Sequence, residues 1–171
     1  MKILIAGIGN IFFGDDAFGC EVVRELSRHE LPENVTAMDF GIRSYDLVYA
    51  LTDNFDAVIL VDAFPRGRQP GSLYLIEPNT ALLNEGDKTP VDGHALNPVA
   101  VIQMAQSIGQ ICEKLFLVGC EPDTCEEEGR MGLSPNVKEA IPRALAMIHS
   151  LVRDLPGTHE QKQEIAGLAP A

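Results

Sequence analysis

Side chains suited to metal or proton chemistry fall in three places, in loops or at the predicted ends of strands: the Asp15-Asp16 pair, Asp62 and His94. Two carboxylates and one imidazole make a reasonable ligand set for a divalent transition metal. Their spacing is not a compact local motif. The chain has no His-Glu-x-x-His and no paired Cys-x-x-Cys. Plainer roles are open to each. Asp15 and Asp16 can cap the first helix and favour its dipole. Asp62 can hydrogen-bond a neighbouring loop, and His94 can be a solvated loop histidine. The three meet only if the fold gathers them.

The elements that must do so alternate between strand and helix. Lys2 to Ala6 reads as a buried parallel strand ending at Gly7. After a Gly- and Asp-rich turn, Phe18, Val22, Val23 and Leu26 share one helical face. Val35 to Phe40 is a second strand, Tyr45 to Leu51 a short helix, and Asp56 to Val61 a third buried strand closed by Asp62. Gly71 to Ile76 alternates and adds another strand. Residues 77 to 95 form a long polar loop that holds His94. Asn97 and Pro98 open a helix as N-cap and first residue, with Leu96 and Val101 spaced as a hydrophobic staple.

Lys114 to Val118 is the next strand. Ser134, as the N-cap, and Pro135 begin the last helix, whose face is Val137, Ile141, Leu145, Ile148 and Val152. Pro142 inside that pattern predicts a kink or a late start. Residues 1–153 read as one domain, and 154–171 as a flexible tail.

Such alternation predicts an α/β three-layer sandwich with a mainly parallel, twisted sheet. With strand 1 central and strands 2 and 3 on opposite sides, the loops leaving strands 1 and 3 diverge. They open a crevice at the carboxyl ends of the sheet. The Asp15-Asp16 pair and Asp62 would enter it from opposite sides.

Composition narrows the function classes. Thirteen Lys and Arg against twenty-five Asp and Glu give a net charge of −12 across 171 residues. That balance argues against nucleic acid and against an anionic membrane surface as partners. Trp is absent and aromatics are 6%, which disfavours base-stacking platforms. The absence of a secretory pattern, four scattered cysteines (Cys20, Cys112, Cys120, Cys125) and no long apolar run point to a reduced, cytoplasmic protein. Between Glu121 and Arg130 lie five acids and one base, a solvated loop or an attractor for a cationic tail.

Gly7-x-Gly9 after a strand resembles the start of a dinucleotide fingerprint, with Asp39 placed for a ribose. However, Phe12 occupies the third glycine position, and Asp15-Asp16 would repel a pyrophosphate. Cys120 and Cys125 lack two further nearby ligands for zinc. A Gly-x-Ser-x-Gly elbow is absent.

Taken in order, several blocks resemble the maturation endopeptidases of nickel–iron hydrogenases. They are Gly7-Ile8-Gly9-Asn10, Gly14 to Gly19, Val58-Ile59-Leu60-Val61-Asp62-Ala63, His94, Leu117 to Pro122, Gly132-Leu133-Ser134-Pro135 and Pro142. The resemblance implies a mainly parallel five-stranded sheet between helices. It implies removal of a C-terminal extension from the nickel-loaded precursor of the hydrogenase large subunit, with the cut after a basic residue. It also implies that Asp16, Asp62 and His94 contact the substrate's nickel, so no permanent cofactor is expected. Two departures stand out: many members carry Glu at the position of Asp16, and an Asp-Gly-Gly-Thr turn where this chain has Asp39-Phe40-Gly41-Ile42.

Neutral imidazole and carboxylates suit nickel(II), which can polarise a carbonyl or activate water. If a carboxylate is the general base, Asp62 is the first choice. Two other functions compete: a non-enzymatic nucleotide-binding regulatory module on a Rossmann-like fold, and a nickel chaperone that cuts nothing.

Overall fold

The computed structural model describes residues 1–79, 98–123 and 131–155. The chain order is β1 (Ile3–Ile8), a 3₁₀ turn (Gly14–Ala17), α1 (Phe18–Leu26), β2 (Val35–Gly41), α2 (Ser44–Leu51) and β3 (Ala57–Ala63). It continues with β4 (Leu73–Ile76), α3 (Pro98–Ile108), β5 (Lys114–Cys120) and α4 (Pro135–Asp154). The sheet order is β2-β1-β3-β5-β4. Every pairing is parallel except that of β4 with β5. The sheet therefore has the expected central β1, with β2 and β3 on its two sides. The antiparallel β4 follows from the short 64–72 return, too short for the crossover a parallel neighbour needs.

Side-chain alternation along β1 divides the core in two. Ile3 and Ile5 join Ile59 and Val61 under α1 and α4, which contribute Phe18, Val22, Val137 and Ile148. Leu4, Ala6 and Ile8 join Val58 and Leu60 under α2 and α3, which contribute Leu47, Leu51, Val101 and Ile102. Both faces of the central strands are covered, so β1 and β3 are apolar without the polar alternation of a half-exposed strand. This is the predicted three-layer α/β sandwich.

Two expectations change. Pro142 does not delay α4, which starts at Pro135 and carries Pro142 inside it. Pro142 is exposed, as is Lys138 one turn before it, so water can serve the carbonyl that loses its intrahelical partner. Ser134 does occupy the N-cap position of α4, but its side chain makes no capping bond. Leu96 and Asn97, predicted to staple and cap α3, lie outside the described residues, as do residues 156–171 of the predicted tail.

The glycines of the first block let α1 approach the sheet. A Cβ on Gly19 would stand 2.1 Å from the Val61 carbonyl oxygen and 2.3 Å from that of Ile8. Gly9, at φ +135°, faces the Asp16 carbonyl oxygen, which a Cβ would meet at 1.7 Å. Neither contact involves a flexible side chain, so neither can be relieved locally. Gly19→Ala is expected to destabilise the fold by about 1–3 kcal/mol or more in urea unfolding. Gly109→Ala, whose new carbon would meet only the Thr52 methyl at 3.5 Å, is expected to fall within about 0.5 kcal/mol of wild type.

Candidate active site

The carboxyl ends of β1 and β3 bring two of the three predicted residues together. Asp62 follows Val61, which pairs with Gly7 across the β1–β3 ladder. Asp16 sits in the 3₁₀ turn that packs over the same strand ends. The two acids are close enough that the charge on Asp16 raises the pKa of Asp62. His94 lies outside the described residues, so only the two carboxylates can be placed. Among the described residues, no group of three or more His, Cys, Asp or Glu side chains could hold a metal ion.

The two acids differ in setting. Asp62 is 4% exposed. Burial is the main cause that pushes its pKa well above the usual carboxylate range. The Asp16 charge adds to this, and a backbone hydrogen bond from Ala63 opposes it. Asp16 is exposed as a residue, but its carboxyl is desolvated enough to raise its pKa. Its Oδ2 accepts the Asn10 N–H at 2.7 Å, which pulls the other way. Like charges in a partly dry crevice favour protonation of one of them, as in other carboxylate pairs. A cation placed between them would reverse that preference.

Asp15 has a different task, and it is not the helix capping allowed for it. Its buried carboxylate accepts the Ser134 N–H at 2.6 Å, the Ser134 hydroxyl at 2.8 Å and the Asp123 N–H at 2.8 Å. It thereby ties the turn that carries Asp16 to the start of α4 and the segment beyond β5. This explains why the Ser134 hydroxyl does not cap its own helix.

The loop beyond Asp62 is fixed by Glu121, whose role the sequence did not single out. Glu121 is buried, and its carboxylate accepts the Arg66 N–H at 2.8 Å, the Gly67 N–H at 3.0 Å and the Tyr74 hydroxyl. Burial alone would raise its pKa. The bonds from Tyr74 and from the Arg66, Arg68 and Gly67 amides outweigh that and lower it. Backbone bonds from Phe64 to Cys120 and between Gly71, Ser72 and Glu121 complete the splint. One of the five acids read as a charged segment is thus turned inward. Residues 124–130 of that segment lie outside the described residues.

The loop amides do not offer a phosphate cradle. Asn10 N–H goes to Asp16, Phe12 N–H to Asn10 Oδ1, Phe13 N–H to the Asn10 carbonyl and Asp16 N–H to that of Phe13. A dinucleotide would need several of these donors free.

Asp39 pairs with Gly7 at the end of β2, and its Oδ1 accepts the Gly41 N–H at 2.9 Å. The departure from the Asp-Gly-Gly-Thr pattern is therefore absorbed by a turn in which Gly41 takes φ +54° and its carbonyl accepts the Gly9 N–H. Behind these acids lies the buried Cys20 thiol, which donates to the Gly9 carbonyl at 3.4 Å. Burial, with Asp39, Asp16 and Asp62 nearby, pushes it up to about 12. Cys120 is also pushed up to about 12, chiefly by burial. Both thiols stay protonated at neutral pH and are poor nucleophiles or zinc ligands. Cys125 lies outside the described residues.

The raised pKa of Asp62 has a thermodynamic consequence. The folded protein holds that proton more tightly than the unfolded chain, so ionising Asp62 costs stability. The cost is absent below the ordinary value of 3.8 and grows as pH rises toward the raised folded value. Asp62→Asn is expected to melt higher than wild type at about pH 9, with the gap closing toward about pH 4. Thermal unfolding followed by circular dichroism measures this. A gap that does not change with pH would rule out ionisation of Asp62 as its cause.

Comparison with known proteins places this arrangement. A family model described as hydrogenase maturation protease matches residues 20–151. The chain is 30% identical over 156 residues to the hydrogenase 2 maturation protease of Escherichia coli, covering 90% of this chain and 92% of that protein. It is 35% identical over 141 residues to the hydrogenase expression/formation protein HupD of Bradyrhizobium diazoefficiens, covering 82% and 72% respectively. The solved hydrogenase maturating endopeptidase HybD from E. coli superposes with a TM-score of 0.73 at 28% identity, covering 90% of this chain and 93% of that one. With the carboxylate crevice set on that shared fold, the chain belongs to the hydrogenase maturation protease family of endopeptidases.

Proposed function

We propose that this chain removes the C-terminal extension of a hydrogenase large-subunit precursor, and that it recognises the nickel already loaded there through Asp16, Asp62 and His94. The observation that carries the reading is the pairing of Asp16 and Asp62 at the carboxyl ends of β1 and β3, each with a raised pKa and with Asp16 acting on Asp62. A divalent cation arriving with the substrate would relieve the repulsion and draw both acids into their charged forms. The metal is then part of the substrate, and the enzyme needs none of its own. Carboxylates and a neutral imidazole match nickel(II) in donor type.

Peptide hydrolysis needs a water deprotonated as it attacks the scissile carbonyl, and a proton returned to the leaving nitrogen. Asp62 is the candidate for accepting the first proton, because the cation that arrives with the substrate would hold this buried acid in its charged form, the form that can act as a base. Nickel would supply polarisation of the carbonyl when present.

We place the protein in the cytoplasm. The thiols of Cys20, Cys112 and Cys120 are free, as expected in a reducing compartment. No helix among the described residues is long and apolar enough to cross a membrane. The net charge of −12 disfavours nucleic acid and anionic lipid as partners.

The test is cleavage of nickel-loaded and nickel-free precursor by wild type, Asp16→Asn, Asp62→Asn and His94→Gln. Wild type should cut only the loaded form, and each variant should lose at least about 100-fold in rate. Equal cleavage by all four proteins would remove the site assignment. A loaded precursor that binds wild type but stays uncut would instead favour a nickel chaperone.

A further inference from the structure

The loop that carries the Asp16 hydrogen bond also carries a row of exposed apolar side chains. Ile11, Phe12 and Phe13 stand in solvent on the β1 side, and Ile42 and Tyr45 on the β2 side. Their exposure runs from 45% for Ile11 to 67% for Tyr45. The two loops leave the sheet side by side, joined by the Gly9 N–H to Gly41 carbonyl bond at 3.1 Å. The five side chains thus crown the same end of the sheet that holds the acids.

The crest is also rigid at its base. Asn10 Oδ1 accepts the Phe12 N–H, the Asn10 carbonyl accepts that of Phe13, and Asp16 Oδ2 accepts that of Asn10. Arg43 braces the second loop through the Phe40 and Asp39 carbonyls. Exposed aromatic side chains on a braced loop lose little freedom on binding, a property of anchor residues at protein interfaces. Scattered exposed apolar residues need no explanation, but a group of five at one site does.

We infer that this crest is the docking surface for an apolar face of the precursor protein next to its scissile tail. The inference rests on the function proposed above and adds to it a second point of contact. Its occupant follows from continuity. Asp16 is bonded to the root of the loop that carries Phe12 and Phe13, so a chain presented to Asp16 is held at the same end of the sheet as the crest. The crest holds the folded body of the precursor while the acids engage the metal and the tail. Short peptides that lack that body gain nothing from it.

The experiment compares steady-state cleavage of full-length nickel-loaded precursor by wild type and two double variants. One is Phe12→Ser with Phe13→Ser; the other is Ile42→Ser with Tyr45→Ser. Circular dichroism melts first confirm that each is folded. KM should rise about tenfold or more in both, with kcat falling less than about twofold. Phe12→Leu with Phe13→Leu, which keeps the apolar surface, should recover most of the lost affinity. Wild-type cleavage with unchanged KM in both variants would overturn the inference and leave the proposed function standing. A wild type that cuts no loaded precursor would overturn both. Sedimentation of the enzyme alone completes the test. A wild-type dimer dispersed by the Phe12 and Phe13 changes, with KM unaffected, would assign the crest to a second copy of this chain.

Discussion

The candidate site depends on how closely α1 can lie on the sheet. Gly19 has no side chain, so its backbone sits against the carbonyls of Ile8, the last residue of β1, and Val61, near the carboxyl end of the neighbouring β3. Gly9 repeats the arrangement one step further, against the Asp16 carbonyl. These contacts press the 3₁₀ turn down over the strand ends, and Asp16 comes within electrostatic reach of Asp62. A larger residue at either glycine would lift the turn, and the two acids would part. The glycines therefore serve a purpose opposite to that in a dinucleotide fold. There they make room for a ligand's phosphates; here they make room for the chain's own backbone.

Four acids around this crevice show how environment sets the task of one functional group. Asp15 and Glu121 are buried, and both are satisfied by donors from other segments. They act as cross-links, one fixing the turn before α1 and the other the loop after β3. Asp62 is as buried but is left with a raised pKa and a like charge nearby. A buried acid in that state costs stability, and such a cost is tolerated where function needs it. Asp16 stands between the two cases, with one backbone donor and an open side toward solvent. On the proposed reading the splints matter to the pair, because carboxylates that share one ion must hold their geometry to within about half an ångström.

Much of this was legible in the sequence for a physical reason. The continuous apolar runs at Ile3–Ala6 and Ala57–Val61 could only be strands covered on both faces. That determined a parallel sheet with helices on either side, and hence a crevice at its carboxyl ends. Position alone pointed to the Asp15-Asp16 loop and to Asp62; the choice of Asp16 within that loop came from the family resemblance. The tasks of Asp15 and Glu121 could not be read in this way. Their partners are more than a hundred and about fifty residues away in the chain, and nothing local marks Ser134 or the Arg66–Gly67 amides as acceptors' partners. Ser134 misled because its position is right for a cap, while its hydroxyl donates instead to the Asp15 carboxylate from the turn before α1.

A pair of acids with a mutual repulsion also bears on selectivity. In the free protein each raised pKa lowers the fraction of the pair that is doubly charged, so the crevice is a modest trap for stray cations. An ion that arrives already held by a bound protein pays less of its own immobilisation cost, because the protein contact has fixed it in place. On the proposed reading, affinity for the loaded precursor is then the product of two contacts, each weak by itself. The apolar crest supplies one that any folded precursor can make. The acids supply the other, which only a loaded precursor can complete. Such a division makes the metal decisive without requiring that the enzyme bind it tightly. It also allows the protein to release both the metal and the product once the tail has been cut.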